Sequence, residues 1–446
     1  MKNFTKKILC TALSMLCTFT LSAVSVSAHE EHEHDHSEHA VTTPQLYEGE
    51  TFTDEVLTYN KAEGGVYVTK CNANAVVVSI GAKIDGYKIL GVYDGAFAQC
   101  ANLKEVTIDN GVSYIGVGAF SGCEKLEKIT LPETLELIPA ECFVGCGSLV
   151  DLEIPESVTA IGEYAFAYAN LGETLELWEG LETLGSSSFY YCSGIKTVSI
   201  PSTLTSVGTL SFIGCKSLEN FTVSEKNTTF SEIDGVLYSE KGTILEVYPS
   251  GKTTTDFTIP DSVTFIPAGA FFDNPNLKNI TMPDSVKVID EGSFSNCTAL
   301  ESITLSNNLQ AIEGSAFCDC TSLKSIEIPA SVTSIGDYAF LECTSLREIT
   351  IPDTVKTIGA YALGFTDDEE GKFHEMDNFI INANFETAAK DYADEYGVDI
   401  NYLDGNKDLP VIIAIVAGCA VVAVAIIITV IIVVKKKKKK DDSYKN

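Results

Sequence analysis

The sequence predicts a β-rich solenoid of stacked 23-residue repeats that build a parallel sheet, with N- and C-terminal caps and one transmembrane helix. Three observations carry that expectation. Phenylalanines recur at Phe97, Phe120, Phe143, Phe166, Phe189 and Phe212, then at Phe271, Phe294, Phe317 and Phe340, 23 residues apart within each block, and such a period is the mark of stacked structural repeats. Each repeat also carries a short apolar–polar alternation, as in Leu126, Ile129, Leu131 or Leu323, Ile326, Ile328, which reads as a strand with one buried face. Finally, Val411 to Val434 is apolar and uncharged, about 36 Å long as a helix against a hydrocarbon core of about 30 Å.

Lys2, Lys6 and Lys7 precede the apolar run Ile8 to Val26, and Val26-Ser27-Ala28 has the small residues of a cleavage site, so residues 1–28 read as a secretory signal peptide. Residues 29–45 hold His29, His32, His34, His36 and His39 among acidic residues, a polar stretch without apolar periodicity that reads as a disordered tail. Residues 46–86 contain short β-rich runs and are expected to cap the open edge of the stack.

The repeats occupy 87–365. A proline follows each main strand (Pro132, Pro155, Pro201, Pro283, Pro329, Pro352) and ends it, because proline cannot donate to the ladder. Gly162, Gly336 and Gly359 are expected at a turn that needs a small residue or a positive φ. Three residues after the phenylalanines stand Cys100, Cys123, Cys146, Cys192, Cys215, Cys297, Cys320 and Cys343, a row broken by Ala169 and Asn274. Equal positions in stacked repeats form a column, and asparagine within it points to thiols that satisfy turn backbone groups; disulfides and metal binding are the alternatives. About 220–259 the period is interrupted by a segment that reads as a β-hairpin, Asp234 to Tyr238 with Thr243 to Pro249.

Residues 366–408 form the C-terminal cap and a short stalk, with a helix expected at Thr387 to Tyr396, stopped by Gly397. The transmembrane helix is placed at 409–434. Lys435 to Lys440 follow it and place the basic tail, 435–446, on the cytoplasmic side of a plasma membrane. The formal charge of the whole chain is −32. Setting aside three lysines of the leader and the seven lysines and two aspartates of the tail leaves −40 between His29 and Val434. A surface this acidic repels phosphate backbones, so nucleic acid is not an expected partner.

The phrase Pro-x-x-Val-x-x-Ile-Gly-x-x-Ala-Phe-x-x-Cys-x-x-Leu-x-x-Ile, complete from Pro329 to Ile349, resembles the Treponema-type, or BspA-like, leucine-rich-repeat family of surface proteins. The insertion and the ending Thr387-Ala388-Ala389…Tyr392-Ala393…Tyr396-Gly397-Val398 are similar to that family too. The resemblance spans about 87–403 and implies a leucine-rich-repeat solenoid associated with adhesion. It carries over no binding residue, because the matching positions are structural.

The outward strand positions Thr107, Thr130, Glu153, Glu176, Ser199, Thr281, Thr304, Glu327 and Thr350 form a candidate ledge for an extracellular protein or glycan. They are small and somewhat acidic, without the aromatic anchors that dominate hot spots, and a plain solvated β-face is the competing reading. The folded repeats lack the histidines, phosphate loop and Cys-x-x-Cys pairs that catalysis or zinc sites need, so no enzyme is expected and no cofactor is required. His29, His32, His34, His36 and His39 could hold Zn or Ni, weakly, because a flexible tract loses entropy when a metal orders it. The sequence therefore supports a surface adhesion module, with metal capture and a purely structural role as its rivals.

Overall fold

The computed structural model describes residues 43–368 and 370–404. Each repeat makes one turn of a coil. Glu105–Ile108, Lys128–Thr130 and Asp151–Glu153 pair in parallel, and Val77–Ile80 of the N-terminal cap starts that ladder. A second ladder, beyond the one strand per repeat that was expected, follows the Val-x-x-Ile-Gly phrase: Leu137–Ile138, Ala160–Ile161, Thr183–Leu184 and Ser206–Val207. Within the repeats, partners in both ladders are one period apart in sequence, so residues in equal positions fall into columns.

The phenylalanine column is the axis of the core. Its rings stack at 5.0 to 5.6 Å from Phe97 to Phe212 and at 4.7 to 5.3 Å from Phe271 to Phe340. These are separations at which aromatic pairs add to plain apolar burial. Between the blocks lies a three-stranded antiparallel sheet, Phe230–Ile233, Val236–Ser239 and Ile244–Val247. The expected pair is its last two strands. It leads directly back into phase: Tyr248, one period before Phe271, stacks on that ring at 5.1 Å, so a tyrosine holds the anchor position there. The core divides at this sheet, with Leu237 packed in the N-terminal cluster and Val236 and Tyr238 in the C-terminal one.

The turn glycines are small for a reason other than φ. A Cβ on Gly162 would stand 2.5 Å from Ala140 N, and one on Gly336 2.4 Å from Gly314 N; the coil brings successive backbones too close for any side chain. Positive φ falls instead two residues before and two after the anchor, as at Tyr164 (51°) and Tyr168 (59°) around Phe166 or Tyr338 (59°) and Glu342 (60°) around Phe340.

The N-terminal cap is an antiparallel meander of Leu46–Thr53, Leu57–Ala62 and Gly65–Cys71, whose last strand meets Tyr87–Val92 in parallel. At the other end Ile380–Ala383 adds to Glu348–Thr350, and Asp399–Tyr402 adds to it in turn. Between those two strands runs the helix Ala388–Tyr396, ended by Gly397 at φ 82°. The fold class needs one correction. Among the described residues no helix is long and apolar enough to cross a membrane. The helix Ala388–Tyr396 is nine residues long and carries Lys390, Asp391, Asp394 and Glu395, about 14 Å where a span needs about 30 Å. The architecture is thus the solenoid with its caps. The span expected at 409–434, the tail 435–446, the leader 1–28 and the histidines His29, His32, His34, His36 and His39 lie outside the described residues.

Candidate binding surface

The strand-face ledge is laid out in one column. Thr130, Glu153, Glu176, Thr281, Thr304, Glu327 and Thr350 are exposed, while Thr107 and Ser199 are half-buried. Parallel pairing sets Thr107 beside Thr130 and Thr281 beside Thr304. In the ledge Ser199 Oγ accepts from Thr222 at 3.2 Å, and in the column beside it Ser302 donates to Asn279 at 2.8 Å. At the row's edge Lys104 pairs with Glu127 and Lys196 with Glu173. The arrangement is a polar sheet face with no side chain standing out as an anchor.

The cysteine column points inward. Cys123, Cys146, Cys192, Cys215, Cys297, Cys320 and Cys343 donate to the anchor-residue carbonyl 26 positions back, at 3.0 to 3.4 Å. Asn274 bonds one residue further on, through Nδ2 to the Pro249 carbonyl 25 positions back at 3.4 Å, and its Oδ1 accepts from the amides of Asn276 and Leu277. All the described cysteines are free and buried, including Cys71, Cys142 and Cys318, which lie off the column. Burial holds most of these thiols up, to about 12 at Cys123, Cys215 and Cys297, so they are poor metal ligands and poor nucleophiles. Among the described residues no group of three or more histidine, cysteine or acidic side chains could hold a metal.

An aromatic cluster lies elsewhere, on the edge built by the positive-φ turns. Tyr164 and Tyr168 are 38% and 41% exposed, and Tyr190 and Tyr191 stand half-buried beside them. Tyr168 stacks on Tyr191 at 5.6 Å and meets Tyr190 edge-on at 5.5 Å; Tyr164 meets Tyr190 edge-on at 5.9 Å. Burial raises the phenols of Tyr168, Tyr190 and Tyr191 above their ordinary range, so they stay neutral at physiological pH. The strand-phase reading missed this edge because it examined only outward strand positions. The signal was present two residues either side of Phe166, where glycines give way to tyrosines.

A sequence profile described as a BspA type leucine rich repeat region matches six copies, over residues 91–219 and 247–368. The chain belongs to the BspA-type leucine-rich-repeat family. Among solved structures, a leucine rich cell surface protein from Faecalibacterium prausnitzii A2-165 is 29% identical, with a TM-score of 0.57 over 70% of this chain and 94% of its own. The pneumococcal vaccine antigen PcpA is 20% identical, with a TM-score of 0.58 over 79% of this chain and 98% of its own, a likeness of fold. A search of curated proteins finds no match. The BspA-type repeat thus accounts for the columns.

Proposed function

We propose that this BspA-type chain is a cell-surface binding protein that attaches to extracellular proteins or glycans through its solenoid and performs no chemistry of its own. The observation that carries the reading is the exposed tyrosine cluster of Tyr164, Tyr168, Tyr190 and Tyr191. Tyrosine is enriched among hot spots because it offers a rigid apolar face with a polar tip, and a monomer has no folding need to expose several together. The family's surface-protein character, and the cell-surface relative from Faecalibacterium, agree with a role outside the cell. The solenoid provides length, and repeated weak contacts along it would add by effective concentration.

The test is adherence of the full chain to immobilised extracellular-matrix proteins and mucin glycans. The double substitution Tyr164→Ser with Tyr168→Ser is compared against Thr281→Ser with Thr304→Ser on the strand face. Adherence lost with the tyrosines alone supports the reading. Adherence lost with the threonines alone moves the site to the ledge, and no adherence by the wild-type chain sinks the proposal.

A further inference from the structure

In the column two residues after each anchor, side chains lean toward the next turn. Gln99 lies over Gly122, its Nε2 2.1 Å from where a Cβ would stand, and the Tyr191 ring lies over Gly214 at 2.6 Å in the same sense. Tyr168 follows the pattern and stacks on Tyr191. The turn on its other side carries Gly145, whose amide donates to the Ala167 carbonyl at 2.8 Å. A Cβ on Gly145 would meet only the Gly122 Cα, at 3.9 Å. The backbone there is bare, and between the Gln99 tip and the Tyr168 ring is a slot about one turn wide. Glu141 is exposed and four residues before Gly145 in the same turn, the pair of positions that Tyr164 and Tyr168 hold one turn on, where both rings reach Tyr190.

Charge says what the slot is built for. From Ile129 to Ile195 the chain contains eleven aspartates and glutamates and no lysine, arginine or histidine; Lys196, just beyond, is already paired with Glu173. This is a cation-free acidic stretch centred on the tyrosines, within a chain of formal charge −32. A flat slot with an aromatic wall and a carboxylate alongside matches a planar cation. Guanidinium stacks on aromatic faces and pairs with carboxylates in two-point geometry, whereas a lysine ammonium is a compact, strongly hydrated charge that gains less from a flat wall.

We propose that the Gly145 slot takes an arginine side chain from an extended protein partner, with the guanidinium plane against Tyr168 and the Glu141 carboxylate as its counter-charge. This rests on the binding reading above and names the partner chemistry of the same surface.

The experiment measures binding of three fluorescently labelled glycine-spaced peptides, carrying arginine, lysine or the neutral isostere citrulline, to the full chain by polarisation. The arginine peptide should bind tightest, and citrulline should weaken it about three- to thirtyfold, the range of a partly desolvated cation–π contact. Tyr168→Ser and Glu141→Gln should each cost a similar factor. Gly145→Asn, which tolerates positive φ and fills the slot with a side chain, should abolish the preference for arginine. The control is Glu153→Gln with Glu176→Gln, which removes two charges from the strand face of the same repeats. If the control costs as much as Glu141→Gln, or lysine binds as well as arginine, attraction is diffuse and the slot assignment fails. If the peptides fail while the tyrosine variants still lose adherence to matrix proteins or mucin, the binding reading stands and only the arginine assignment falls.

Discussion

The Cys123 thiol donates to the Phe97 carbonyl 26 residues back, at 3.2 Å, inside a core where both residues are fully buried. That bond joins one turn to the next, alongside the bond from the Phe97 amide to the Ala119 carbonyl at 2.8 Å. Cys123→Ala would remove one of the two donors to the Phe97 carbonyl, the Cys100 amide at 3.1 Å remaining, and open a small void. The expected loss is about 0.5–2 kcal/mol in urea unfolding. An unchanged midpoint would show that the thiol acts only as filler.

Cys100 begins this column and has no anchor carbonyl from an earlier turn; its neighbour is Cys71 of the cap. A hydrogen bond from the Cys71 thiol pulls the Cys100 thiol below its ordinary value, while the same partner and burial push Cys71 up. When the N-terminal cap opens to admit reagent, iodoacetamide near neutral pH should therefore modify Cys100 before Cys123, as peptide mapping by mass spectrometry would show. Equal rates at Cys100 and Cys123 would contradict it.

Tyr248 is the anchor that carries the ring column from the inserted sheet into the second block, through its contact with Phe271. Tyr248→Ala should cost about 3–5 kcal/mol. In a stack whose stability is a sum of neighbour interfaces, it should also split unfolding into two transitions, one for each core cluster. A single, merely shifted transition would mean that the inserted sheet alone couples the halves.

Asp290, Glu291 and Glu313 have raised pKa values through burial first, and Glu291 and Glu313 also through repulsion from neighbouring carboxylates. The folded state therefore keeps protons that the unfolded chain releases above about pH 4, and stability falls as pH rises through the raised values. The melting temperature should be higher at pH 5 than at pH 7.5, and Glu313→Gln should narrow the difference. A higher melting temperature at pH 7.5 would reverse the sign of this account.

If His29, His32, His34, His36 and His39 hold a metal, zinc titrated into the full chain should give heat that deletion of residues 29–39 removes. Heat that survives the deletion would place the metal elsewhere.

The period of Phe97 through Phe340 was enough to derive a solenoid, its columns and the inward role of Cys123 and its equivalents, because stacking repeats every local choice in register. Local pattern also marked the Ala388–Tyr396 helix with its Gly397 stop. Tertiary structure alone decided the rest. The second ladder is too short, at two residues per turn, to show as alternation, and Tyr248 looked like part of a hairpin until its ring was found on Phe271. The close approach behind Gly162 and Gly336 depends on the backbone of the preceding turn, which sequence does not display. The tyrosine edge and the bare Gly145 slot depend on which way side chains lean from a positive-φ turn. A linear period says which residues share a column, but only the coil's geometry says which columns face water and where one of them is left open.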